Sequence, residues 1–259
     1  MNSSIALKGS TRIITEFFEY CVNSILYQRG VYPEEDFGTV KKYDLTLMKT
    51  HDDELKSYIR RILGQVHKWM LGGKCNKLVI CIVDKDEGEV VERWAFDIER
   101  ISVENNENEN NHSQSESKLS KEEIQKEIRA LIRQITASVT FLPDLSNKGR
   151  YTFNVLAYTD AYARVPMEWG DSDGKEIENG EVMQFRSFST GNHKIGAQVT
   201  NMFFRDLKKN ERLKLIFEIN TNLPRSYVIQ SFYYAASNVV AHVWLINTLI
   251  GSRFIQDLM

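Results

Sequence analysis

Five histidines, three cysteines and several acidic runs are the residues of this sequence that could support chemistry. His51, His67, His112, His193 and His242 have no His or Cys neighbour at a spacing that builds a metal site, so they read as helix-surface or loop histidines. Cys21, Cys75 and Cys81 are odd in number and lack the close pairing of a zinc knuckle, and they are too few for a disulfide scaffold; a reducing compartment fits best. Asp84-Lys-Asp86-Glu-Gly88 has the front of a calcium loop, yet Ala95 stands at the twelfth position, where a bidentate Glu is required. It reads as an acidic hairpin turn. Leu7-Lys-Gly-Ser-Thr11 offers a lysine and hydroxyls without the upstream glycine or preceding strand of a phosphate-binding loop. No Ser, Cys or paired-carboxylate arrangement has recognisable motif context, so the residues support no enzyme, metal or cofactor reading.

The chain that carries these residues has 259 of them, 42% hydrophobic and 26% charged, the range of one soluble domain or one domain with an appendage. Its 33 Lys+Arg against 35 Asp+Glu leave a charge of -2, which argues against direct nucleic-acid binding through a whole-chain field. The N-terminus has neither an apolar h-region nor an Arg-rich presequence, so no secretory or mitochondrial address is expected.

Apolar residues Ile13, Ile14, Phe17, Phe18, Cys21, Ile25 and Leu26 recur at three- and four-residue steps, predicting a helix over 10–28, capped by Ser10 or Thr11 and stopped at Gly30. A second helix is expected over 52–71, with an acidic start and Gly72-Gly73 as its terminator. The period then changes: Lys77–Val83 and Val90–Ile98 predict an antiparallel hairpin. Residues 102–120, rich in Asn, Glu and Ser, predict a mobile loop within the domain. Ser120-Lys-Glu-Glu123 is a capping box for a third helix to about Ser138, with Arg133-Gln134 away from its apolar face. Tyr151–Thr159 and Val182–Phe188 predict strands, joined by a polar, Gly- and Asp-rich connection. Segregated helices and strands indicate an α+β fold.

Trp69 and Trp94 suit the core, whereas Trp169 suits either the core or a partner surface. Beyond Phe204 the character changes, and residues 226–252 contain no Asp, Glu, Lys or Arg. On a helical wheel the polar residues of that stretch gather on one half, which leaves open a packed or membrane-surface helix, a membrane span, or a segment that never orders.

Whole phrases carry more than single motifs. Leu7-Lys-Gly-Ser-Thr, Glu16-Phe-Phe-Glu, Ile25-Leu-Tyr-Gln-Arg-Gly-Val-Tyr-Pro33, Lys42-Tyr-Asp-Leu-Thr-Leu47, Gly88-Glu-Val-Val-Glu-Arg-Trp94, Ile132-Arg-Gln-Ile-Thr-Ala-Ser-Val-Thr-Phe-Leu-Pro143, Tyr158-Thr-Asp160 and Ser187-Phe-Ser-Thr190 followed by His193-Lys194 occur in order and with sensible spacing. Together they resemble the HORMA-domain proteins of the spindle assembly checkpoint, from Leu7 to about Val199.

That resemblance implies three helices on an antiparallel sheet and a mobile C-terminal safety belt. The HORMA domain would span 1–204 with its belt region at 160–204, leaving an extension, 205–259, without counterpart in the family. It implies no enzymatic activity and no cofactor. It implies open and closed states, the closed one trapping a partner peptide beside the strand that carries Tyr151, Phe153, Val155, Ala157 and Thr159. Belt positions would include Pro166, Trp169, Val182, Phe185, Phe188 and His193. An open and a closed copy would dimerise through Arg133, Gln134 and Phe141. An AAA+ remodeller with its adaptor would engage the N-terminus around Ile5, Leu7 and Lys8. Implied partners are the kinetochore checkpoint adaptor and the activator of the anaphase-promoting complex, within the mitotic checkpoint complex. The implied location is the nucleus and kinetochore, and also the cytoplasm. A HORMA adaptor of DNA repair or of the meiotic chromosome axis shares the fold and belt, and differs in the peptide bound.

Overall fold

The computed structural model describes residues 2–101, 120–143, 145 and 150–201. Almost all of the polar loop expected at 102–120, the whole 205–259 extension and the helix expected at 226–252 lie outside the described residues. One compact unit comprises Met1–Thr136 and Asp144–Met202, while Ala137–Pro143 falls in a second and contains the 3-10 turn Val139–Phe141.

The elements of the first unit begin with helix α1 (Asn2–Gln28), followed by the hairpin β1 (Phe37–Lys42) and β2 (Leu45–Thr50) and by helix α2 (Asp53–Leu71). Strands β3 (Cys75–Asp84) and β4 (Val90–Arg100) precede helix α3 (Lys121–Ser138). Strands β5 (Tyr151–Thr159), β6 (Glu181–Gln184), β7 (Phe188–Ser189) and β8 (His193–Asn201) complete it. The main sheet runs β5-β3-β4-β8-β6, with β7 also on β8, and every pairing is antiparallel.

Side-chain alternation gives this sheet two different faces. Leu78, Ile80 and Ile82 of β3, Trp94 and Phe96 of β4 and Ile195 and Val199 of β8 are almost wholly buried on one face. There, Phe17 and Phe18 of α1 set their rings against Phe96, and Tyr58 of α2 sets its ring against Phe153 of β5. Each such side chain contributes roughly 1.5–3 kcal/mol by leaving water. On the outer face Val79, Cys81, Val83 and Ala95 form a smaller apolar cluster, flanked by Val90, Leu156 and Tyr158.

Local chemistry explains the boundaries. Asp52 caps α2 by accepting from the Leu55 amide at 2.7 Å, and Gly73 (φ 63°) takes the left-handed conformation just past the helix end. The capping box of α3 is reciprocal: Ser120 N donates to Glu123 Oε2 at 2.8 Å, and Glu123 N donates to Ser120 Oγ at 3.1 Å. The Asp84–Gly88 stretch is the β3–β4 turn, with Asp84 Oδ1 accepting from the Asp86 amide and Gly88 at φ 72°.

Three expectations need correction, and one hairpin comes in addition. Helix α1 starts at Asn2 rather than near Ser10, because Ser10 and Thr11 do not cap it. Thr11 Oγ1 bonds back to the Leu7 and Lys8 carbonyls within the helix, and Ser10 Oγ faces His193 and Thr190. The hairpin β1–β2 was not anticipated, since its turn uses Tyr43 and Asp44, both at positive φ (51° and 52°), in place of Asn-Gly. The strand expected over 182–188 is broken: residues 185–187 lie opposite only 196–197, a bulge whose extra amide, Arg186 N, donates to Gln134 Oε1. His193 is buried at the start of β8 rather than lying on a loop or helix surface. Among the described residues no helix is long and apolar enough to cross a membrane.

Candidate functional site

Among the described residues, strand β5 ends the sheet and pairs only with β3. Every second residue of an antiparallel edge strand points its N–H and C=O away from its single partner, so β5 offers a row of backbone groups, unpaired among the described residues, about 30 Å long at about 3.4 Å per residue. Tyr151, Phe153, Val155, Ala157 and Thr159 share the helix side of this strand, while Asn154, Leu156 and Tyr158 share the outer side. Phe153 is buried between Tyr32 and Tyr58, which fixes the strand against α2. An added strand would therefore meet a rigid edge.

Residues 160–180 leave this edge and reach β6 at the other edge, about 19 Å away at about 4.8 Å per strand. They touch both sides of the sheet on the way. At the start, Asp160 pairs with Lys74 at 3.0 Å and accepts from the Tyr162 amide at 2.8 Å. The Tyr162 amide first, and Lys74 second, hold the Asp160 carboxyl below the usual carboxylate range. Trp69 at the end of α2 donates from Nε1 to the Arg164 carbonyl at 3.0 Å. Its ring meets Trp169 edge-on with centroids 4.9 Å apart, and Pro166 turns the chain there by accepting from the Trp169 amide. Trp169 is half-buried, an anchor of this connection to α2. By Gly174 the chain is on the outer face, where Arg93 and Tyr158 hold its carbonyl. Tyr162, Val165 and Met167 stay exposed beside the edge.

Four residues assigned to the belt lie at the opposite margin. Val182 is exposed on β6, and Phe185 lies parallel to Trp94, 6.2 Å between centroids. Phe188 is buried against Phe17 at 4.8 Å, and His193 Nδ1 lies 2.7 Å from Ser10 Oγ, which also meets Thr190 Oγ1 at 2.6 Å. Burial, and then the nearby Arg100 charge, hold His193 below the ordinary imidazole pKa. Leu7 is half-buried and Lys8 exposed on the preceding turn of α1, whose backbone also includes Ile5.

On α3, Arg133 and Gln134 are half-buried rather than fully solvated. Gln134 and Glu127 accept from the Arg186 and Ser189 amides at 2.8 and 3.0 Å, so this helix also secures the β6–β7 bulge. Phe141 lies in the 3-10 turn of the second unit. His67 meets Thr15 between α2 and α1. Burial pushes the Cys75 and Cys81 thiols up to about 11, which leaves them protonated and unreactive at neutral pH. The arrangement is suited to holding an extended chain. Leu156, Tyr158 and Arg93 were not singled out from sequence, because nothing in their spacing marks which face the belt crosses.

A model of the HORMA domain matches residues 10–193. The mitotic spindle checkpoint component MAD2 of Saccharomyces cerevisiae is 66% identical over 200 residues, covering 77% of this chain and 98% of that protein. The chain belongs to the MAD2 branch of the HORMA-domain family. The human mitotic spindle assembly checkpoint protein MAD2A is 43% identical over 195 residues, covering 75% of this chain and 91% of that protein. A chain in the crystal structure of the mitotic checkpoint complex superposes with a TM-score of 0.64 at 46% identity, covering 74% of this chain and 97% of that one. The α+β HORMA fold, three helices with an antiparallel sheet, is thereby shared with MAD2 proteins, and the chain is a spindle-checkpoint protein.

Proposed function

We propose that this chain traps a short partner peptide as an added strand on β5, beneath the 160–180 belt, and that by holding the activator of the anaphase-promoting complex in this way it delays anaphase. One observation carries the reading: among the described residues nothing pairs with the outer edge of β5, and the segment beside it is fastened to α2 on one side of the sheet and to Arg93 and Tyr158 on the other. Backbone bonds at about 1 kcal/mol net each barely offset the roughly 4–15 kcal/mol that association costs. Slow release therefore has to come from the belt, which must detach before the peptide can leave.

This geometry supports the closed state. Reaching an open state requires β8 to leave β4, along the whole pairing of Glu92–Arg100 with His193–Asn201, a two-state rearrangement rather than a small adjustment. The partners we assign are the kinetochore adaptor (mitotic arrest deficient one) and the activator (cell-division-cycle twenty) within the mitotic checkpoint complex. An open copy of the same chain would join through Arg133, Gln134 and Phe141, and an AAA+ remodeller would engage Ile5, Leu7 and Lys8. The protein acts as a non-catalytic adaptor at kinetochores, in the nucleus and in the cytoplasm.

The test is the dissociation rate of a fluorescent adaptor peptide from the full-length protein and from a chain stopped after Phe204. Release over hours from both supports trapping and makes the extension incidental. Tight binding by the shortened chain alone makes the extension an inhibitor of closure, and release within seconds from both rules trapping out.

A further inference from the structure

Arg93 and Tyr158 fasten the belt to the outer sheet face, and Arg93 makes the larger number of contacts. It lies on β4, opposite Cys81 of β3 and Thr200 of β8, and is 2% exposed. It shares the outer face with the apolar cluster of Val79, Cys81 and Ala95, and its guanidinium reaches three acceptors. Nε donates to the Gly174 carbonyl at 3.1 Å, and Nη2 donates to Tyr158 Oη at 2.9 Å and to Glu176 Oε1 at 2.7 Å. Tyr158 Oη in turn donates to the same Gly174 carbonyl at 3.3 Å. One guanidinium thus joins the middle of the sheet, the edge strand β5 and the belt, using the planar fork that a lysine lacks.

Two features of the belt show how closely it is held. A Cβ on Gly174 would sit 2.8 Å from Tyr158 Oη, and one on Gly180 would sit 2.6 Å from Thr200 Cγ2, so the belt lies too near the sheet at both points for a side chain. Between them Lys175 (φ 48°) and Asn179 (φ 56°) occupy the left-handed region, which Lys rarely adopts unless its surroundings enforce it.

We propose that Arg93 is a positioning residue for peptide retention: by clamping Gly174 and Glu176 to Tyr158 of the edge strand, it sets how fast the belt opens. This rests on the trapping reading above and names the contact that must break first on the outer face. Glu176 is largely exposed and its pairing is screened by water, so the Gly174 carbonyl and Tyr158 hydroxyl carry most of the effect.

The experiment loads a fluorescein-labelled kinetochore-adaptor peptide onto the full-length protein and onto Arg93→Lys, Gly174→Ala, Tyr158→Phe and Glu176→Gln, then follows release and association separately. Melting of each peptide-free variant is recorded alongside. The clamp predicts at least tenfold faster release for Arg93→Lys and Gly174→Ala, a smaller gain for Tyr158→Phe, little change for Glu176→Gln, and association within about threefold of wild type. A purely structural role predicts a lower melting temperature and a smaller bound fraction, with unchanged release from the protein that does bind. That result in both Arg93→Lys and Gly174→Ala overturns the clamp while leaving trapping intact. Rapid release from wild type overturns trapping itself, and the clamp with it.

Discussion

The buried ion pair between Arg29, at the end of α1, and Glu92, on β4, offers a stability test with a defined magnitude. Both side chains are at most 4% exposed, Arg29 Nε donates to Glu92 Oε2 at 3.0 Å, and a second bond joins Nη2 to Oε1. Trp94 Nε1 also donates to Oε2 at 3.3 Å, so the carboxylate is shared between the pair and the inner core. Glu92→Gln keeps the shape and one acceptor but turns an amide N–H toward the guanidinium, leaving a buried cation facing a donor. Removing one partner of a buried pair costs about 3–5 kcal/mol, because the remaining charge has already lost its water. For a folded region near 200 residues, each kcal/mol moves the melting temperature by about 2–4 °C, so the variant should melt roughly 6–20 °C lower. Replacing both residues, Arg29→Met with Glu92→Leu, removes the buried charge that has lost its carboxylate and should recover most of that loss. Thermal melts followed by circular dichroism, with urea titrations for each variant, supply the comparison. A Glu92→Gln protein melting within about 2 °C of wild type would refute the reasoning, as would a double variant no more stable than the single one.

Three further outcomes follow from named contacts. Asp52→Ala should cost about 1 kcal/mol in urea unfolding through loss of the α2 cap, and an unchanged midpoint would show that the cap contributes nothing. His193 is held below the ordinary value near 6.5, so the unfolded chain takes up the proton first as pH falls. Its contribution is therefore intact above about pH 6.5 and is lost as pH falls through the lowered folded value, and His193→Gln should flatten the stability profile below about pH 6.5. Parallel profiles for the two proteins over that interval would contradict it. Arg133→Ala should abolish self-association in sedimentation while leaving peptide binding intact, and a persisting dimer would remove that face from the account.

What could be read in the sequence was chiefly what local chemistry decides. The Ser120–Glu123 box, the acidic start of α2 at Asp52, the β3–β4 turn at Asp84–Gly88 and the β-branched run of β5 each declare themselves within a few residues. Long-range partners decided the rest. The first turns of α1 have weak apolar periodicity, and the contacts of Ser10 with Thr190 and His193 span the chain. The β1–β2 turn at Tyr43–Asp44 lacks a glycine signal; Tyr43 Oη donates to Glu16 at 2.8 Å, and Asp44 pairs with Arg129. At the site, β5 and Trp169 were recognisable, but Arg93, Tyr158 and Gly174 meet only because the belt crosses one face of the sheet. No spacing between residues 93, 158 and 174 encodes that crossing.

The most direct measurement of the central claim is residue-resolved hydrogen exchange over Tyr151–Thr159 and 160–180, with and without the kinetochore-adaptor peptide. The account predicts that alternate β5 amides, those facing away from β3, gain strong protection on binding, together with amides of the belt near Gly174. Unchanged β5 amides, with new protection at the β6 edge or on the helices instead, would contradict it.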